Sequence, residues 1–198
     1  MSRKLPPIEC LDKHVLVLAQ IVAQTSWLPH PETVKIMRGA VFPTIRNMTR
    51  RRTPIEENGI PVGLYDDNAT AHWALLWTHG MNDRCRDGWS IAHVWSAPKD
   101  IESFTHLANL ALITECFGSL TDKIGPVSRF LRWHAWQVYG WKPESAAEPQ
   151  KPEGFEEVVW RYLPAFADPR GFVRQRLSEL NNESVKILRP IMQRLGML

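Results

Sequence analysis

The chain has 198 residues, enough for one domain with a generous core or one domain with a helical extension, and too few for two full domains. Hydrophobic residues make up 44% and charged residues 23%, which excludes wholesale disorder. A net charge of +3 is compatible with a polyanionic partner without requiring one, so the local clustering of cations has to decide.

The opening Met-Ser-Arg-Lys and the apolar run Val15–Ala19 are separated by Pro6, Pro7, Glu9, Asp12 and Lys13, so this region does not read as a signal peptide. From there to about residue 41 the apolar spacing predicts two helices. One carries Leu11, Val15, Leu18, Ala19 and Val22, and the other carries Val34, Ile36 and Met37 after a break at Ser26–Pro31. Arg46 to Arg52 is a basic loop with four arginines, leading through Glu56-Glu57-Asn58-Gly59 into a short hairpin. Thr70 to His79 predicts a helix stopped by Gly80, and Trp89–Trp95 a strand. A helix is expected from about Ser103 or Thr105 to Phe117, and another from Pro126 to Tyr139 with Gly140 as its stop.

Residues 142–154 have the composition of a solvated linker, and helical patterns resume from Phe155, with Pro190 interrupting the last stripe. The expected architecture is α+β and mainly helical. A helical domain over 1–141 contains a small ββα-like element at about 85–123, followed by the 142–154 linker and a 155–198 helical extension packed on the same domain. Cys10, Cys85 and Cys116 are far apart and form no CxxC pair, so neither a disulfide framework nor a structural zinc is expected. No segment approaches the ~18–20 apolar residues of a membrane span. A cytoplasmic protein without a membrane partner is the expectation.

The segment that carries chemistry is Trp89 to Lys123. A strand ends at His93, a polar loop follows, and Asn109 stands 16 residues on, within Leu107–Ile113. This order resembles the ββα-metal finger of the HNH and His-Me nuclease superfamily. The resemblance implies a metal-dependent endonuclease that hydrolyses phosphodiester bonds in DNA or RNA. In that reading His93 is the general base, with its other ring nitrogen held by a carbonyl, and magnesium or manganese is the cofactor. Asn109 is either the direct metal ligand, as in the Serratia-type branch, or the residue that pins the loop, as in the HNH branch. The HNH branch places metal ligands just before the first histidine and at a last histidine, where this chain has Ala92 and the stretch Leu120-Thr121-Asp122. Three options therefore stand: a single-ligand asparagine site, a site repaired by Asp122 with Lys123 beside it, or a finger that keeps its shape without cutting.

Two basic features suit a nucleic-acid partner. Arg50-Arg51-Arg52 is one. The other is the helix after Pro126, where Val127, Phe130, Leu131, His134 and Val138 fall on one side and Arg129, Arg132, Trp133 and Trp136 on the other. Guanidinium and indole groups together suit phosphate pairing and base stacking, although the tryptophans equally suit packing under the C-terminal region. His72, His79 and His106 lie close enough in sequence to join a site. The alternative to an endonuclease is a non-catalytic helical module that binds nucleic acid or protein and retains a degenerate finger.

Overall fold

Two small sheets and seven α-helices make up the described residues, 13–82, 87–96, 99–121 and 125–197, of the computed structural model. The fold is mixed α+β and mainly helical. Helix α1, Val15–Gln24, buries Val15, Ala19, Val22 and Ala23. Helix α2, Pro31–Met37, starts on a proline, whose fixed φ suits the first turn, and is capped by His30, which accepts from Glu32 N. It ends at Arg38 in the left-handed region.

A three-stranded sheet follows, with β1 (Thr44–Arg46) parallel to β3 (Ile60–Asp66) and β2 (Pro54–Glu57) antiparallel to it. Asn58 and Gly59, both at positive φ, make the tight turn between β2 and β3. The expected hairpin is thus present, β1 joins it by pairing Thr44, Ile45 and Arg46 with Leu64, Tyr65 and Asp66, and the Thr44 hydroxyl meets that of Thr70, in the helix that follows, at 2.9 Å. Helix α3, Ala69–Trp77, leads to Gly80 at φ 72°. No helix among the described residues is long and apolar enough to cross a membrane.

Strand β4, Trp89–His93, pairs antiparallel with β5, Leu110–Thr114, with His93 opposite Leu110. The helix expected from about residue 103 to 117 is therefore replaced by a 3-10 turn at Leu107–Asn109, this strand, a second 3-10 turn at Glu115–Phe117 and a short α4 at Gly118–Thr121. The reason lies in the packing. The β4/β5 ribbon runs between two cores, with Leu110, Leu112 and Ile91 packed in the core of α3 and the C-terminal helices. Ala111, Ile113, Ala92 and Val94 join the core of α1 and the long helix that follows. A strand buried on both faces loses its polar alternation and reads like a buried helix. Trp27 also bridges the outer edge of β5 at Leu112.

Helix α5, Ser128–Tyr139, ends at Gly140 in the left-handed conformation, as expected. Residues 142–154 lie against the protein: Pro143 and Pro152 are buried, and Lys142 Nζ donates to Ala146 O at 2.7 Å. Beyond the 3-10 turn at Phe155–Glu157 the chain is extended, not helical, and Leu28 exchanges backbone bonds with Arg161 and Leu163. Helices α6 (Pro169–Glu179) and α7 (Glu183–Arg194) close the fold, and Pro190 lies inside α7 without ending it. Val173, Leu177, Val185, Leu188 and Met192 complete the α3 core.

Candidate functional site

The chain leaves β4 at residues 94–96 and returns to β5 through residues 99–109, and one side chain ties the two stretches together. Asn109 Oδ1 accepts from Trp95 N at 2.7 Å, its Nδ2 donates to Ser103 O at 2.8 Å, and its own carbonyl accepts from Val94 N at 2.8 Å. Asn109 is completely buried. Its amide is spent on the backbone at both ends, which is the loop-pinning role and leaves the metal-ligand role without a presented oxygen. The loop is tied to the rest of the fold by Thr105, whose hydroxyl donates to Phe42 O at 2.7 Å and accepts from Phe42 N at 2.9 Å.

His93 ends β4 against this loop. Its Nε2 lies 3.1 Å from Phe104 O, and its ring stacks on the Phe104 ring at 4.9 Å and 12°. A carbonyl only accepts, so Nε2 carries the proton and Nδ1 keeps its lone pair. Burial pushes the imidazole down to about 4, against the opposing pull of the Phe104 carbonyl, and the charges of Arg46 and His72 push it further down. The result is a neutral histidine flanked by a cation at the end of β1 and a histidine on α3.

His72 also lines a cleft of about 600 Å³ together with Arg52, Asn68, Trp73 and Asn182. The basic loop forms one rim of it. Asn47 Oδ1 organises that loop by accepting from Thr49 N, Thr49 Oγ1 and Arg50 N. Arg50 lies over the Tyr65 ring at 4.4 Å and Arg51 pairs with Asp67 at 3.3 Å, while Arg52, in the left-handed region, borders the cleft. The three arginines are thus individually positioned.

The second basic face differs from the expected one. Trp133 packs edge-on against Phe155 at 6.4 Å, and Trp136 is half-buried. Arg132 donates to Val94 O at 3.2 Å and lies 5.5 Å over Trp95, and Arg129 is exposed. Both arginines line a second groove, of about 530 Å³, with Trp95 and Lys151 of the 142–154 segment. Val138, expected on the core side of α5, is 40% exposed.

Three further histidines serve the fold. His79 Nε2 accepts from His30 N at 3.0 Å while Nδ1 donates to Leu75 O at 2.7 Å, and His106 accepts from Ala108 N and stacks on Trp141 at 4.2 Å. His134 bonds Tyr162 Oη at 2.7 Å.

The residues about His93 do not fit a divalent ion. Ala92 has no donor, the Asn109 amide is consumed, and no group of three His, Cys, Asp or Glu side chains suited to a metal occurs among the described residues. Asp122 and Lys123 lie outside the described residues, as do Cys10 and Cys85, and Cys116 is a free, exposed thiol. The sequence offers His72 as a site candidate and Arg46 as part of the basic loop but not their approach to His93, and it does not single out Asn68 or the Phe104 and Thr105 contacts. Of these only Asp66-Asp67-Asn68 before an apolar helical run carried a signal, that of a cap. No protein-family model, no curated protein and no solved structure matches the chain.

Proposed function

We propose that this chain is a non-catalytic nucleic-acid-binding protein, in which the two strands β4 and β5, the pinned loop and the short helix after them form a finger-like scaffold. The observation that carries the reading is the setting of His93. A neutral, carbonyl-held imidazole lies within electrostatic reach of Arg46 and of His72, and His72 in turn lines a cleft bordered by Arg52. The guanidinium of Arg46 near this uncharged ring and that of Arg52 at the cleft rim offer positive charge to a phosphate oxygen. The two-strands-then-helix order supports the likeness to ββα fingers, while the lack of a fitting ligand set among the described residues, which do not include Asp122, favours binding over cutting.

A second reading, phosphodiester cleavage with His93 as base, is favoured by one observation, the unprotonated Nδ1 opposite the carbonyl-held Nε2. One experiment separates the two. Purified protein is incubated with supercoiled plasmid and with structured RNA, with magnesium, with manganese and with chelator, and is followed in parallel by gel retardation over a salt series. Retardation that weakens steeply with salt, with no cleavage under any condition, is the expected result. Cleavage that disappears in His93→Ala moves the conclusion to the endonuclease, and absence of both retardation and cleavage removes nucleic acid as the partner.

A further inference from the structure

A groove of about 480 Å³ lies between α2 and α5 and shares no residue with the cleft beside His72. Lys35 and Arg38 come to it from α2 and its end, Val138 and Trp141 from the last turn of α5 and just beyond, and His106 from the turn before β5. Its size suits a small ligand.

His106 is the polar group built into this groove. The residue is only 7% exposed, its ring stacks on Trp141 at 4.2 Å and 13°, and its Nδ1 accepts from Ala108 N at 3.2 Å. Burial holds the imidazole down to about 4, so the ring is neutral. A neutral ring whose Nδ1 accepts carries its proton on Nε2. That Nε2 has no hydrogen-bond partner among the described residues. A donor fixed in its tautomer and held by packing is thus left over at a groove wall, and such a group asks for an acceptor.

The neighbouring side chains indicate what kind of acceptor. Neither Lys35 nor Arg38 forms an ion pair among the described residues. Arg38 stands at φ 61°, a left-handed position that the backbone would give to glycine, so a guanidinium is kept here at a conformational cost. Glu32 lines the same groove, and two cations less one carboxylate leave a single net positive charge. That balance matches a monoanion. Val34, Trp141 and Val138, the last of them 40% exposed, supply apolar surface beside the charges.

We propose that the groove of Lys35, Arg38, His106, Val138 and Trp141 binds a small organic monocarboxylate, its carboxylate accepting from His106 Nε2 and pairing with Lys35 and Arg38, its apolar body on Val138 and Trp141. The site is independent of nucleic-acid binding. A neutral amide forgoes the charge-assisted bonds, and inorganic phosphate has no body for the apolar wall.

The test is calorimetric titration of the full chain with octanoate and naphthoate, with the neutral amide of each, and with inorganic phosphate. The two acids distinguish an aliphatic body from an aromatic one. Saturable binding of at least one acid is expected, with its amide and phosphate weaker by about tenfold or more, the worth of one charge-assisted hydrogen bond. Arg38→Gly is expected to weaken the acid by about tenfold while melting at the same or a higher temperature, because glycine adopts φ 61° without strain. Affinity lost at unimpaired stability cannot come from misfolding. His106→Asn keeps an acceptor for Ala108 N but has no ring N–H, and is expected to weaken the acid to a similar extent. No saturable binding of either acid overturns the site, as does an amide or phosphate bound as tightly as the acids. Acid affinity left unchanged by either variant places the binding elsewhere on the protein and overturns the site as well.

Discussion

The amide of Asn109 meets the backbone N–H of Trp95 at 2.7 Å across fourteen residues of chain, and this bond turns the excursion after β4 into a closed, fixed loop. The carbonyl and ring that hold His93 depend on it, since Phe104 lies inside that loop. Asn109→Ala leaves the Trp95 N–H buried without a partner and the Ser103 carbonyl with only the bond from His106 N at 3.3 Å, which costs on the order of 1–3 kcal/mol. A drop of that size in urea stability, not restored by added magnesium or manganese, is the expected outcome. Partial recovery by excess metal would return Asn109 to the role of ligand.

Thr105 is the second anchor of the loop, exchanging two hydrogen bonds with the backbone of Phe42. Valine has nearly the same shape and neither bond. Thr105→Val is expected to lose about 1–3 kcal/mol. Hydrogen exchange should show the loss as faster opening of residues 94–109, and an exchange pattern equal to that of the unmodified protein would show that the anchor is dispensable.

Acid should destabilise this fold in a defined window. Burial holds His79, His93, His106 and His134 down to about 4 in the folded protein, against an ordinary value of 6.5. Between those values the unfolded chain binds more protons than the folded one, so stability rises with pH across the window. The contribution is fully present above pH 6.5 and is lost as pH falls through about 4. Each ring contributes on the order of a few kcal/mol, so urea midpoints measured from pH 7 to pH 4 should fall steadily. Midpoints that stay level over this range would contradict the burial of these imidazoles.

The sequence made most of the fold legible where local signals and tertiary packing agree. Pro31, Asn58-Gly59, Gly80 and Gly140 each demand a particular backbone conformation, and each marks a helix start, a turn or a stop where it was expected. The Leu107–Ile113 stretch misled because β5 is apolar on both faces, one turned to each core, and no polar alternation survives. Asn109, expected within a helix, instead stands at the end of a 3-10 turn where β5 begins. Its cost is met by three backbone hydrogen bonds at the entry to a strand.

At the site, His93 and its carbonyl partner were legible because a strand-end histidine faces a returning loop. The approach of Arg46 and His72 was not, since it arises from a parallel β1/β3 pairing and the placing of α3, which no local pattern encodes. The tryptophans of α5 were legible as packing or as recognition, and Phe155, arriving from beyond the 142–154 segment, decides for packing at Trp133.

The central claim is that the protein binds nucleic acid on the side of His93. It is tested most directly by anisotropy of a labelled oligonucleotide over a salt series, with the unmodified protein, Arg46→Ala/Arg52→Ala and Arg129→Ala/Arg132→Ala. The account expects saturable binding whose logarithm falls linearly with the logarithm of salt, and a slope shallower by about two for Arg46→Ala/Arg52→Ala. A smaller effect is expected for the second pair, because Arg132 is committed to Val94 O and Trp95. Binding by Arg46→Ala/Arg52→Ala with unchanged affinity and slope, or no saturable binding by the unmodified protein at low salt, would contradict the claim.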